Sequence, residues 1–167
     1  MLNFADRPYE YYPPQPNWLV YRLGCWINRK QFLPSDHHRI ESVSVTNAEV
    51  LEKVRGKRVL FLPNHSTHSD PQIMIEVLHQ VGVWSFFMAA YDVFERNQLY
   101  AWMMQRLGAF SVDRDGNDKQ SLKQSISTLS TGKHALTMFP EGNVFLMNDR
   151  VTPFLDGPAF IAIKAQQ

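Results

Sequence analysis

An α/β fold, with a mixed, largely parallel sheet flanked by helices, is predicted for this chain by three observations. Beyond Gly56 the hydrophobic period switches repeatedly between strand-like and helix-like: strand candidates at 58–62, 83–89, 109–112 and 134–139 alternate with helix candidates at 71–80, 96–107, 118–131 and 156–167. Gly82, Gly108 and Gly132 stand where three of those helices end, the position at which a left-handed backbone favours glycine. Polar clusters follow three of the apolar strands directly, and in open α/β sheets the ligand crevice lies beyond the carboxyl ends of the strands.

The elements follow in order. Pro8, Pro13, Pro14 and Pro16 stand among Tyr9, Tyr11 and Tyr12, and since proline fixes φ and lacks an N–H donor, this stretch reads as an extended arm. Asn17 is the predicted N-cap of an amphipathic helix over WLVYRLGCWINRK. Leu19, Leu23, Trp26 and Ile27 share one stripe of it, with Arg22, Arg29 and Lys30 largely off that stripe, and Pro34 ends it. Residues 1–34 thus form an N-terminal arm and helix, and 35–167 the α/β domain. Ile40 to Val45 alternates like a strand; Thr46-Asn47-Ala48-Glu49 has the form of a capping box; a short helix to about Arg55 then stops at Gly56.

Composition excludes several classes. At 167 residues and 44% hydrophobic the chain has the means for one core-bearing domain, since roughly 150 residues bury about 70% of their extended surface. Seventeen Lys and Arg against 16 acids leave a formal charge of +1, so no global field favours nucleic acid and any anion site must be local. Cys25 stands alone and forms no internal disulfide, and no apolar leader is evident, which makes a reducing cytoplasmic setting the expectation. The longest apolar stretch, Val81 to Ala90, is far short of the roughly 20 residues a spanning helix needs.

The loops after the strands carry N-H-S-T-H-S-D at 64–70, D-R-D-G-N-D at 113–118 and P-E-G-N at 140–143. Asp, Asn and Gly are ordinary turn residues, but three such loops at one predicted edge, supplying a histidine, an arginine and a glutamate, form a candidate site. The first loop admits three readings. His65 and His68 with Asp70 could ligate zinc, although the second His- or Cys-rich cluster that completes such sites is missing, His37 and His38 lying in a Pro-bounded loop. Ser69 or Asp70 could cap a helix opening at Pro71. His65 and Asp70 could be a base and its orienter, a role compatible with a cap; His68 then lines the rim.

His65 and Asp70, with four residues between them, resemble the H-x-x-x-x-D motif of the glycerolipid acyltransferases. Gly108 to Arg114 (GAFSVDR) resembles the second block of that family, Phe139-Pro140-Glu141-Gly142 its third, and Pro153-Phe154 with Gly157 and the small-residue helix Ala159 to Ala165 the approach to its fourth. The blocks occur in the family order across residues 57 to 165. Two departures stand out: Asn143-Val144 replaces the Thr-Arg that commonly follows the third block, and the chain stops at Gln167 inside a predicted helix, so the C-terminal part of the fold is expected to be missing.

The resemblance implies transfer of a fatty acyl group from an acyl thioester to a glycerolipid hydroxyl, with His65 as general base and Asp70 as its orienter. It implies Arg114, Glu141 and Gly142 as substrate-binding residues, no metal and no resident cofactor. Acyl-coenzyme A or acyl-carrier protein is the expected donor, a lysophospholipid the acceptor, and the cytoplasmic face of a membrane the place of work. Chemically, imidazole with a pKa near 6.5 can take an alcohol's proton at neutral pH, and a guanidinium fork matches phosphate oxygens. Glu141, in a turn, could accept a bond from the acceptor or anchor its loop. The departures also permit an impaired relative that holds a lipid or acyl carrier without turnover.

Overall fold

The computed structural model describes residues 9–114, 116, 118–147, 150 and 152–167. Helix α1 spans Trp18–Ile27 and runs into a wider π turn at Asn28–Phe32; α2 (Ala48–Glu52), β1 (Leu60–Phe61), α3 (Asp70–Gln80) and β2 (Ser85–Ala90) follow. Then come α4 (Tyr91–Glu95), α5 (Gln98–Leu107), β3 (Ala109–Val112), α6 (Lys119–Thr131), β4 (Ala135–Thr137) and α7 (Gly157–Lys164). The four strands form one sheet in the order β1-β4-β2-β3, and every pairing is parallel. Each strand and helix expected beyond Gly56 is present, although β1 is shorter than 58–62 and the helix expected from 96 begins at Gln98, after Asn97, whose side chain accepts from the N–H groups of Leu99 and Tyr100.

Strand alternation sorts the core onto two faces. Phe86, Phe110, Leu136 and Met138 meet Leu129 of α6, Ile161 of α7 and Ala165 just after it. On the other face Ala135 packs with Leu78, Val81 and Val83 at the end of α3, and Ala109 with Phe94 and Ala101. Helices therefore cover both faces, as a parallel sheet requires. The open edge at β3 is occupied by the arm: Tyr12 N–H donates to Ser111 Oγ at 2.9 Å, Ser111 N–H donates to Tyr12 O at 3.1 Å, and the Tyr12 ring stacks on Phe94. A proline-rich strap on an edge strand removes the template that edge would offer to another chain.

Two expectations near the N-terminus are corrected. Residues 40–45 form no strand; among the described residues no neighbour completes a ladder, and the segment is tied instead by Ile40 N–H to Leu33 O and by Gln80 Nε2 to Val43 O, with Val45 packed on the α3 side of the core. The capping box is not made either, because Asn47 takes a left-handed φ of 58° and its side chain makes no capping bond. Asn17 does cap α1, accepting from Val20 N–H at 3.1 Å. The apolar stripe of α1 faces outward: Leu19, Leu23 and Trp26 are exposed, while Gly24 and Cys25 are buried. Gly24 is what lets α1 lie on α5, since a Cβ there would come within 2.5 Å of Leu107.

Gly108, between α5 and β3, has φ +99°, and a Cβ on it would stand 2.6 Å from the ring of buried Phe86. Gly108→Ala combines backbone strain with overpacking and is expected to cost about 1–3 kcal/mol, read as a lower denaturation midpoint at unchanged slope.

Candidate active site

The site is assembled at the carboxyl ends of the strands. β1 pairs with β4 through Leu60–Leu136 and Phe61–Thr137, so the loop leaving β1 and the loop leaving β4 start side by side. Asp70 opens α3 with Pro71 behind it. Its carboxylate turns back onto the loop: Oδ2 accepts from the Thr67 N–H at 2.8 Å, and Oδ1 from the Thr67 hydroxyl at 2.9 Å. Oδ2 also lies 3.0 Å from His65 Nδ1. Because a carboxylate only accepts, this contact puts the proton of a neutral imidazole on Nδ1 and the lone pair on Nε2. Both side chains are mostly buried, at 15% and 17% exposure.

The expected Ser69 cap is absent. Ser69 precedes α3 without a capping bond, and its hydroxyl stands 2.8 Å from His38 Nδ1 instead. His38 thus reaches the start of α3 from the loop that follows the N-terminal helix; burial, with His37 beside it, lowers its pKa. His68 is exposed at the surface of the first loop. Among the described residues no group of three or more His, Cys, Asp or Glu is arranged to hold a metal ion.

The third loop supports the first from behind. The His65 ring stacks on Phe139, centroids 4.1 Å apart and planes 20° apart. Glu141, 8% exposed, accepts from the His65 backbone N–H at 2.8 Å through Oε1 and from the Thr152 hydroxyl at 2.6 Å through Oε2. Gly142, with φ +73°, turns its carbonyl to Arg114, whose Nη1 donates to Gly142 O at 3.1 Å and to Asn143 Oδ1 at 2.8 Å. Arg114 is exposed and bridges the second loop to the third. Asp118 holds the second loop: it accepts from Asp113 N–H and the Tyr9 hydroxyl and caps α6 through Gln120 and Ser121. Burial raises its pKa, but the Ser121 N–H, the Tyr9 hydroxyl and the Asp113 N–H together hold it below the ordinary carboxylate value.

His65, Asp70, Arg114, Glu141 and Gly142, predicted from three separate stretches, are therefore tied together by hydrogen bonds between the loops. Sequence reasoning missed Thr67, Phe139's stacking, Thr152 and His38. Thr67 offers two donors within the first loop and was the one with a local signal; Thr152 acts across 11 residues, and His38 and Phe139 across 31 or more.

Residues 42–167 match the family model described as acyltransferase. The chain belongs to the acyltransferase family. Within that family it is 33% identical over 57 residues to a 1-acyl-sn-glycerol-3-phosphate acyltransferase of Streptococcus pneumoniae (strain ATCC BAA-255 / R6). That similarity takes in 34% of this chain and spans 21% of the relative's length. The all-parallel sheet with helices on both faces is consistent with the acyltransferase fold.

The tautomer gives a direct readout of the His65–Asp70 contact. In wild type, 15N NMR of the imidazole at a pH where it is neutral should show the proton on Nδ1. In Asp70→Ala the signal should move toward the Nε2-protonated form; an unmoved signal would show that Asp70 does not set the tautomer.

Proposed function

We propose that this chain is an O-acyltransferase that moves a fatty acyl group from an acyl thioester, on coenzyme A or acyl-carrier protein, to a hydroxyl of a glycerolipid such as 1-acylglycerol-3-phosphate. The observation that carries the reading is the 3.0 Å approach of His65 Nδ1 to Asp70 Oδ2, which supports Nε2 as the base. The acceptor hydroxyl attacks the thioester carbonyl while His65 Nε2 takes its proton, and Asp70 stabilises the imidazolium that forms. The carbon–sulfur bond then breaks, and the thiolate recovers the proton from Nε2. Base catalysis of this kind contributes about 10²- to 10⁴-fold. Arg114, steadied by Gly142 and Asn143 at the mouth of the third loop, is the proposed ligand for an acceptor phosphate.

Work at a bilayer surface is proposed from α1. Among the described residues no helix is long and apolar enough to cross a membrane. Trp18, Leu19, Leu23 and Trp26 nevertheless face outward, as do Leu99 and Trp102 on the neighbouring α5. The Arg22 guanidinium lies 5.0 Å over Trp18 and that of Arg106 5.3 Å over Trp102. Neither helix carries an acidic residue. Tryptophan favours the headgroup level and each cation near an anionic surface adds about 1 kcal/mol, so this face suits peripheral attachment, proposed at the cytoplasmic side.

Purified protein given acyl-coenzyme A or acyl-carrier protein and 1-acylglycerol-3-phosphate should form the diacyl product. His65→Ala should reduce turnover to background with the fold retained by circular dichroism, and His68→Ala should leave it near wild type. The reverse pattern would sink the assignment. Sedimentation with anionic and neutral vesicles should show preferential binding to the anionic ones, weakened several-fold by Trp18→Ser with Trp26→Ser; unchanged binding would place the attachment elsewhere.

A further inference from the structure

The β1–β4 ladder ends at Phe61 and Thr137, leaving the backbone that carries His65 beyond the reach of sheet hydrogen bonds. What meets that backbone is the third loop. Phe145 N–H donates to His65 O at 3.3 Å, a long contact, and the His65 N–H donates to Glu141 Oε1 at 2.8 Å. A bond from N–H to a carboxylate is charge-assisted and stronger than a neutral one. The other oxygen of Glu141 accepts from Thr152, which lies eleven positions on. There the chain folds back on the loop it left, Leu155 N–H donating to Pro140 O at 2.8 Å. Glu141 is buried at 8% exposure, with a protein donor on each carboxylate oxygen.

We propose that Glu141 and Thr152 are positioning residues, which set the depth and direction of the His65 imidazole through its own backbone, and that Glu141 does not bind the acceptor through its charge. This rests on the proposed acyl transfer. The Thr152 hydroxyl fixes the plane of the carboxylate, and the carboxylate fixes the Cα of His65. With Asp70 holding the ring at Nδ1 and Phe139 packed on its face, the imidazole is constrained from three sides. Thr152 has no counterpart among the motif residues, so its role comes from the tertiary contact alone.

The two roles for Glu141 differ in what a glutamine can replace. Its carbonyl oxygen can still accept from His65 N–H while its amide donates to the Thr152 hydroxyl, so the tether survives and the charge is lost. With an acyl thioester and lysophospholipid, Glu141→Ala and Thr152→Val should lower kcat, by about 10- to 100-fold for the first and less for the second, at an acceptor KM within about twofold of wild type. Glu141→Gln and Thr152→Ser should recover most of each loss. Independently of turnover, amide hydrogen exchange at His65 should be slow in wild type and Glu141→Gln and faster in Glu141→Ala and Thr152→Val. An acceptor KM that rises sharply in Glu141→Gln at unchanged kcat overturns the proposal in favour of a charged contact with substrate. His65 exchange that is indifferent to Glu141 overturns it as well. Absence of turnover in wild type with any acceptor would defeat the acyl-transfer reading, while exchange at His65 would still decide whether the tether exists.

Discussion

Two rungs of parallel pairing, Leu60 with Leu136 and Phe61 with Thr137, are the constraint on which the arrangement of the site depends. They are few, yet they put the ends of β1 and β4 next to one another, and the contacts of His65 with the third loop follow from that adjacency. The loop of β4 supplies the Phe139 ring under the imidazole and the Glu141 carboxylate under its backbone; the loop of β1 supplies Asp70 at the start of α3. A longer ladder would have fixed these loops by backbone bonds. Here side chains take over where the ladder ends.

Carboxylates are the common device. Asp70, Glu141 and Asp118 each sit at a loop after a strand or at the head of a helix, and each accepts from backbone N–H groups of a loop that carries a candidate site residue. Buried N–H groups require partners, and a charged acceptor on a short stem satisfies them without a further strand. The site is thereby held at its base by hydrogen bonds while Arg114 remains exposed, a division that suits the proposed acyl transfer.

The N-terminal segment shows the same economy of contact. The arm covers the β3 edge, and α1 rests on α5 through Gly24 rather than through its large apolar residues. Asn28 Nδ2 donates to Gln72 O and Arg29 pairs with buried Glu76, so polar contacts join the end of α1 to the helix that begins with Asp70. The tryptophans and leucines of α1 are left for the solvent side, which is the physical basis for the proposed interfacial role.

Much was legible in the sequence by itself. Period-two and helical runs punctuated by Gly82, Gly108 and Gly132 determined the α/β alternation, because those signals are local and the glycines hold positive φ that other residues resist. The spacing of His65 and Asp70 and the blocks around Arg114 and Glu141 marked loops that the fold brings together as a candidate site. Only the tertiary structure decided which face of α1 is buried, since periodicity is the same for a core and for a surface stripe. It alone refused a strand to 40–45, because a strand exists only where a neighbour completes its ladder. And it alone connected His65 to Glu141 and Glu141 to Thr152, contacts 76 and 11 positions apart whose donors and acceptors carry no pattern along the chain.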